Sequence, residues 1–220
     1  MKKTILLLAA LTVASASYAK EIMPMAEVAP VMAVTQSDMY LNARFGIDLG
    51  AKYDKIEDVL DDSTDGFGGE VALEGYKVLD DNFDIGLGLA YQFHADRDSY
   101  SFEEYTVSGA EYDSIPLYLT AKYNFMTNSN MKPYLKANLG YSFNFNSSDA
   151  KAESTVYGNE TAGTSVDDGL YWALGVGMEY NDFTVDLMYA VNEAEVSIDG
   201  DKYDNDYDRV VLSVGYIFNL

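Results

Sequence analysis

Apolar and polar residues alternate with a period of two along most of this chain. Between residues 39 and 53, every odd-numbered position is apolar or aromatic, and the even-numbered positions include Arg44, Asp48 and Lys52. A helix would scatter these charges around its axis, whereas a strand separates the two sets onto opposite faces. Segments with this pattern predict eight strands, at about residues 39–53, 67–77, 83–95, 114–125, 134–145, 169–180, 183–192 and 209–220.

The charged residues inside these segments fall almost entirely on one face. Eleven of twelve share the parity opposite to the apolar residues, and the exception, Lys77, lies at a strand end where its side chain can reach water. A Lys or Arg that faces lipid at mid-membrane costs roughly 2–4 kcal/mol, so we expect the apolar face to meet lipid and the charged face to line a lumen. Asp84 shares the charged face with the predicted lumen ion-pair network, which consists of Arg44, Asp48, Lys52, Glu70, Glu74, Lys122, Lys136, Glu179, Asp186 and Arg209.

The connections between the segments alternate in length. Three are short, at residues 79–82, 126–131 and 181–182, and four are long, at about 54–66, 96–113, 146–168 and 193–208. Outer-membrane barrels have short periplasmic turns and long extracellular loops, so the fold class predicted is an all-β, eight-stranded, antiparallel, up-and-down transmembrane β-barrel. A soluble lipocalin-like barrel would need the reverse pattern, with apolar residues inside and charges outside.

The N-terminal residues predict export. Lys2 and Lys3 precede an apolar stretch, and a small-x-small cleavage site ends at Ala19, which is typical of a secretory signal peptide. We expect a cleaved signal peptide at 1–19, export through the Sec pathway, a flexible periplasmic leader at 20–38 and an outer-membrane barrel domain at 39–220.

Charge and composition narrow the classes of function. The formal net charge of −22 argues against nucleic-acid binding, because phosphate contacts need clustered Lys and Arg. The chain has no Cys, which excludes a disulfide framework and thiol chemistry. Neither a cofactor nor a metal is expected.

The predicted extracellular loops are acidic. A solvated surface accounts for such loops, and the functional alternatives are Ca²⁺ or Mg²⁺ bridging to anionic lipopolysaccharide and capture of a basic extracellular ligand. The densest acidic run lacks the glycine at the sixth loop position that an EF-hand requires, so no defined calcium loop is predicted. This run contains Asp199, Asp201, Asp204, Asp206 and Asp208.

His94 is the chain's one histidine, with Asp96, Ser99 and Ser101 close by in sequence. One interpretation is a Ser-His-acid hydrolase that acts on lipid A or peptide. The other is a histidine at the rim of the lumen, hydrogen-bonded to Asp or Tyr. A lipid-cleaving site would face lipid, whereas the parity of His94 places it inside, so we expect no enzymatic activity.

The last eight residues resemble the C-terminal signal by which bacterial outer-membrane barrels are recognised by their assembly machinery. Ser213, Gly215, Phe218 and Leu220 fill its fixed positions, although the family usually ends in Phe. With the segments GFGGEVALEGYKV, DNFDIGLGLAYQF, IPLYLTAKYNF and MEYNDFTVDLMYAV, the chain resembles the small outer-membrane β-barrel domain family, over residues 39–220. This family contains the opacity surface proteins and their relatives, which are often called "porin family" proteins. It is related in fold to the membrane domain of outer-membrane protein A. The resemblance implies contacts with outer-membrane lipid, lipopolysaccharide, periplasmic chaperones and the assembly machinery.

An eight-stranded barrel is just wide enough for its own side chains to fill the interior. We therefore expect the inward charges to pair with one another, because isolated charges in a confined lumen are costly. The expected function is a non-enzymatic surface barrel that supports envelope integrity and makes contacts through its acidic loops. The alternative is a narrow porin or small-solute conduit, with the same charges forming a pore or a proton path.

Overall fold

The computed structural model describes residues 38–55, 62–102, 105–154, 158–198 and 200–220. The predicted signal peptide, and all of the predicted leader except Asp38, lie outside these residues. Within them, no helix has the length and apolar content to cross a membrane. The long strands are β1 (Met39–Tyr53), β2 (Gly69–Val78), β3 (Phe83–Phe93), β4 (Asp113–Asn124), β5 (Met131–Phe145), β6 (Gly169–Tyr180), β7 (Phe183–Asn192) and β8 (Tyr207–Asn219).

These eight strands form a closed antiparallel barrel. Each strand pairs with its neighbours along the chain, and β1 pairs with β8 to close the sheet, with Arg44 opposite Gly215. The predicted eight-stranded, up-and-down barrel is therefore confirmed, and each predicted strand boundary lies within three residues of the observed one.

The two faces of the barrel differ as the alternation predicts. Leu73, Leu87 and Leu119 are each more than half exposed on the outer face, whereas Glu74 and Lys122 are fully buried inside. Exposed leucines around the whole barrel would be unfavourable in water, but lipid tails solvate them well.

A β-bulge in β1 overturns part of the predicted pattern. The register with β8 shifts between Asp48 and Gly50, so Leu49 is left without an opposite residue. One extra residue reverses the direction of every later side chain in the strand. Tyr53, predicted to face lipid, is 1% exposed and lies inside the barrel. Lys52, predicted to line the lumen, faces outward and pairs with Asp208 at 3.5 Å.

The long connections are loop 1 (residues 54–68), loop 2 (94–112), loop 3 (146–168) and loop 4 (193–206), and they contain short strands that the sequence pattern did not predict. Loops 1 and 2 pair through Thr64–Asp65 and Asp96–Arg97. Loops 2 and 3 share a four-stranded sheet of Tyr100–Phe102, Tyr105–Ser108, Ala150–Ser154 and Gly158–Ala162. Loops 3 and 4 share a three-stranded sheet of Thr164–Asp167, Glu195–Ile198 and Asp201–Asp204. Pairing between loops extends the β-structure beyond the barrel.

Candidate functional site

Glu74 of β2 lies at the centre of a charged network inside the barrel. The residue is fully buried, and its carboxylate lies 2.8 Å from Lys136 Nζ and 3.0 Å from Arg44 Nη2. The hydroxyls of Tyr76 and Tyr118 each donate a hydrogen bond to it at 2.9 Å. These four partners offset the cost of removing the carboxylate from water.

Asp186 of β7 provides the second anion at this level. Its carboxylate lies 3.6 Å from Arg44 Nη1 and 3.8 Å from Lys136 Nζ, and the Tyr134 hydroxyl donates to it at 2.7 Å. Arg44 belongs to β1 and Lys136 to β5, which are separated by three strands in either direction around the barrel. The ion pairs therefore cross the lumen instead of following its wall.

Arg209 of β8 continues the network toward the extracellular end. Its guanidinium lies 3.2 Å from Glu70 and 3.5 Å from Asp48, and it donates to Asn192 Oδ1 at 2.9 Å. Glu70 also pairs with Arg44 at 3.1 Å. Arg44 and Arg209 thus share one carboxylate, which joins the two levels into one continuous network.

Lys122 of β4 does not join the ion-pair network, although the sequence pattern predicted that it would. It is fully buried, yet no carboxylate among the described residues lies within ion-pair distance of its Nζ. The ammonium instead lies 4.3 Å from the ring centre of Tyr76, 4.7 Å from that of Tyr134 and 5.1 Å from that of Tyr40. A desolvated ammonium over aromatic faces gains about 2 kcal/mol or more from cation–π attraction. Lys122 also donates to the Tyr40 hydroxyl at 3.1 Å.

Two further predicted members lie outside the connected network. Glu179 is at the periplasmic end of β6, where it pairs with Lys132 at 3.2 Å near the solvent. Lys52 is outside the barrel because of the β1 bulge. The residues that the structure brings into one connected set are Arg44, Asp48, Glu70, Glu74, Lys136, Asp186 and Arg209.

A cluster of aromatic rings and loop side chains covers the network at its extracellular end. This cluster, here called the roof, consists of Tyr53, His94, Arg97, Tyr112, Asn205 and Tyr207. The guanidinium of Arg97 lies 4.6 Å from the ring centre of Tyr53, and it donates to Asn205 Oδ1 and to the Asp54 carbonyl. Asn205 donates to the carbonyl of Ala110 at 3.0 Å. Contacts from loops 1, 2 and 4 therefore meet over the lumen.

His94 belongs to the roof. Its ring stacks on Tyr207 with centres 3.9 Å apart, meets Tyr112 edge-on at 4.9 Å and lies 3.4 Å from Arg209 Nη1 through Nε2. Ser101, one of the serines considered for a hydrolase, instead hydrogen-bonds Thr106. Burial, together with the neighbouring guanidinium of Arg209, lowers the pKa of the His94 imidazole, which is the opposite of what the acid of a triad provides.

Small residues make room for the interior tyrosines. A methyl group added at Gly88 would overlap the ring of Tyr118, and one added at Gly177 would overlap the ring of Tyr134. These tyrosines were not part of the predicted network, although their parity places them on its face.

The outer rim carries a small acidic group. Asp206 accepts a hydrogen bond from the Ala194 N–H at 3.0 Å, and its neighbours include Asp54 and Glu193. Burial, with a smaller contribution from these two carboxylates and despite the Ala194 N–H, raises the pKa of Asp206 to about 6. Among the described residues, no group of three or more His, Cys, Asp or Glu could hold a metal ion.

The four residues of the predicted assembly signal divide between the two faces of β8. Ser213 is buried and accepts a hydrogen bond from Arg44 Nη1 at 2.8 Å, and an added methyl group at Gly215 would overlap interior side chains. Phe218 and Leu220 are exposed on the outer face at 49% and 62%.

Comparison with known proteins identifies the family. Residues 5–218 match the family model described as outer membrane protein beta-barrel domain. The chain belongs to this family. The predicted family resemblance is therefore confirmed, and membership implies a location in the bacterial outer membrane.

The chain is also similar to individual proteins. The uncharacterized protein PM1543 of Pasteurella multocida (strain Pm70) is 28% identical over 228 residues, covering 86% of this chain and 95% of that protein. The outer membrane protein OprG from Pseudomonas aeruginosa has a TM-score of 0.55 at 16% identity, covering 84% of this chain and 98% of that one. Neisserial surface protein A has a TM-score of 0.45 at 15% identity, with 83% and 98% covered. At such low identity, the likeness to OprG extends to the fold alone.

Proposed function

We propose that this protein is a non-enzymatic, non-conducting barrel of the outer membrane that supports envelope integrity and presents acidic loops for contact with its surroundings. The observation that carries this proposal is the connected set of seven ion pairs that crosses the lumen. Every side chain in this set is at most 4% exposed.

A solute that crossed the lumen would have to separate these pairs. Breaking a buried ion pair by removing one partner costs roughly 3–5 kcal/mol. Passage between Arg44 and Glu74, and then past Arg209 and Glu70, would interrupt two such levels in series. The roof adds a third obstacle above them.

Single-channel recording in planar bilayers tests the absence of conduction. The purified wild-type barrel is expected to give no discrete current steps. A variant with Ala at Arg44, Glu70, Glu74, Lys136, Asp186 and Arg209 removes both charged levels without changing the net charge, and with Arg97→Ala added to open the roof it is expected to conduct. Lys132→Ala with Glu179→Ala removes the periplasmic rim pair and serves as a matched silent control. Discrete steps from the wild-type protein would replace the proposal with the narrow-porin alternative.

The acidic loops support the surface-contact part of the proposal. Asp201, Lys202 and Asp204 of loop 4 are exposed on a paired strand. Loops held in sheets lose less entropy on binding than free loops would. Grafting loops 2, 3 and 4 together onto another eight-stranded barrel is expected to transfer binding of a basic peptide or of Mg²⁺-bridged lipopolysaccharide. If the parent protein binds such a ligand and the grafted barrel does not, the binding site lies outside these three loops.

We propose further that Ser213, Gly215, Phe218 and Leu220 act as the signal for the barrel-assembly machinery, after Sec-dependent export, signal-peptide cleavage and escort by periplasmic chaperones. The exposed Phe218 lies near the end of β8, the strand that closes the barrel, and the exposed Leu220 follows that strand. Phe218→Ala is expected to lower the fraction of heat-modifiable, folded protein in the outer membrane. Phe45→Ala, which changes an outward aromatic residue elsewhere, is the control. Equal assembly of both variants would contradict the signal role.

A further inference from the structure

The periplasmic mouth of the barrel contains an open cavity of about 390 Å³. Its floor is formed by buried side chains of Tyr40, Asp84 and Asn124, which are 8%, 5% and 3% exposed. Its rim carries Asp81 and Lys132. The volume lies within the range of small-molecule sites, which is roughly 300–1,000 Å³.

The lining is strongly acidic. It contains five carboxylates, those of Asp38, Asp80, Asp81, Asp84 and Glu179, against one ammonium, that of Lys132. Lys132 is already paired with Glu179 at 3.2 Å. Lys122 lies one layer deeper, where it contacts the Tyr40 hydroxyl. Even with Lys122 counted, anions exceed cations by three, so the cavity attracts positive charge.

Asp84 offers an unused acceptor at the cavity floor. Its Oδ2 accepts hydrogen bonds from the Tyr40 hydroxyl at 2.8 Å and from Asn124 Nδ2 at 3.0 Å. Its Oδ1 accepts no hydrogen bond from the described residues and is accessible from the cavity, whereas the residue as a whole is only 5% exposed. Asn124 Oδ1, beside it, is likewise without a described partner. A nearly buried carboxylate with one free oxygen favours a ligand that donates hydrogen bonds and carries positive charge.

We infer that this cavity binds a small organic cation with two primary ammonium groups, one on Asp84 at the floor and one among the rim carboxylates. The cavity is far larger than a single ion. Among the described residues, no cluster of carboxylates has the arrangement that a metal ion needs. A linear diamine matches both levels of negative charge, whereas a monoamine satisfies only one.

Titration of the full mature protein in uncharged micelles with 1,4-diaminobutane tests the inference. Saturable binding is expected, with affinity at least tenfold above that of butylamine and with Mg²⁺ unable to compete at equal concentration. The methyl resonance of Met126, which lines the rim, is expected to shift with the same midpoint, and that of the interior Met188 is expected to stay in place.

Three substitutions test whether the diamine binds in this cavity. Asp84→Asn is expected to weaken diamine binding by roughly 10- to 100-fold, as loss of a charge-assisted hydrogen bond implies. Asp81→Lys, an exposed rim change, is expected to abolish it even if Asp84→Asn fails to fold. Asp182→Lys, in a periplasmic turn outside the cavity lining, makes the same change in charge and is expected to leave affinity unchanged. The inference would be overturned if Asp81→Lys and Asp182→Lys lost diamine affinity equally, or if the wild-type protein bound diamine and monoamine with equal affinity.

Discussion

Glu74→Gln is the substitution that tests the interior network most directly. The change keeps the size of the side chain and removes one charge. Glu74 lies within 3.0 Å of both Lys136 and Arg44 and takes part in two of the seven ion pairs. After the change, the nearest remaining carboxylate to Lys136 Nζ is Asp186, at 3.8 Å.

The expected cost follows from burial. Removing one partner of a buried, hydrogen-bonded pair costs roughly 3–5 kcal/mol, because the other charge stays buried without compensation. Glu179→Gln is the matched control, since its pair with Lys132 is partly exposed, with 47% of the Lys132 side chain accessible. An exposed pair contributes about 1 kcal/mol or less. The two Glu→Gln changes should therefore differ by at least about 2 kcal/mol.

Urea unfolding of the barrel in phospholipid vesicles measures this difference. Trp172 is the chain's one tryptophan and faces outward beside Tyr189, so its fluorescence reports exposure to lipid. A double variant, Glu74→Leu with Lys136→Met, removes both charges and should cost less than the sum of the single changes by about 1 kcal/mol or more. Equal destabilisation by Glu74→Gln and Glu179→Gln would refute the argument that buried pairing holds the interior together.

Three further predictions concern single positions. Lys122→Met should change the free energy of unfolding by less than about 1 kcal/mol, because the lost cation–π attraction is offset by the relief of burying an ammonium; a loss like that of Glu74→Gln would contradict this. Gly140→Ala should destabilise the barrel by roughly 1–3 kcal/mol in the same urea assay, because the new methyl group would overlap the neighbouring backbone, whereas Gly163→Ala, with open space around it, should have little effect. The raised pKa of Asp206 means that the folded state binds the extra proton, so local stability of loop 4 should increase as pH falls from 7 through about 6 toward 4. The protection factor of the Asn205 amide, which donates to the Ala194 carbonyl, should rise over that range after the intrinsic pH dependence of amide exchange is divided out, and Asp206→Asn should remove this rise.

Much of the barrel could be predicted from the sequence because lipid outside and charge inside impose opposite preferences on alternate residues. That rule identified the strands, their faces and the inward direction of Glu74 and Arg209. It failed in β1 beyond Asp48, because alternation carries no information about where a strand inserts one extra residue. The misplaced Lys52 and Tyr53 both follow from that single bulge.

The partners within the lumen were harder to predict than its lining. Parity says that Lys122 faces inward, but its three tyrosine neighbours come from β1, β2 and β5, and only the register of those strands sets their heights. The sequence pattern predicted even less of the contacts within the roof. Arg97 and Asn205 lie in loops without periodicity, and their contact spans 108 residues of sequence. Long-range pairing between irregular segments depends on the closed barrel that brings them together.

The bulge in β1 also explains why the two mouths of the barrel differ. By turning Tyr53 inward, it supplies the ring on which Arg97 stacks, and the loops then close over the lumen. At the periplasmic mouth, the short turns provide no comparable cover. There, Tyr40, Tyr76 and Ile217 form a buried cluster, and Tyr40 and Ile217 also line the open cavity. A ligand bound to Asp84 would therefore contact Lys122 only through the Tyr40 hydroxyl, which donates to Asp84 and accepts from Lys122.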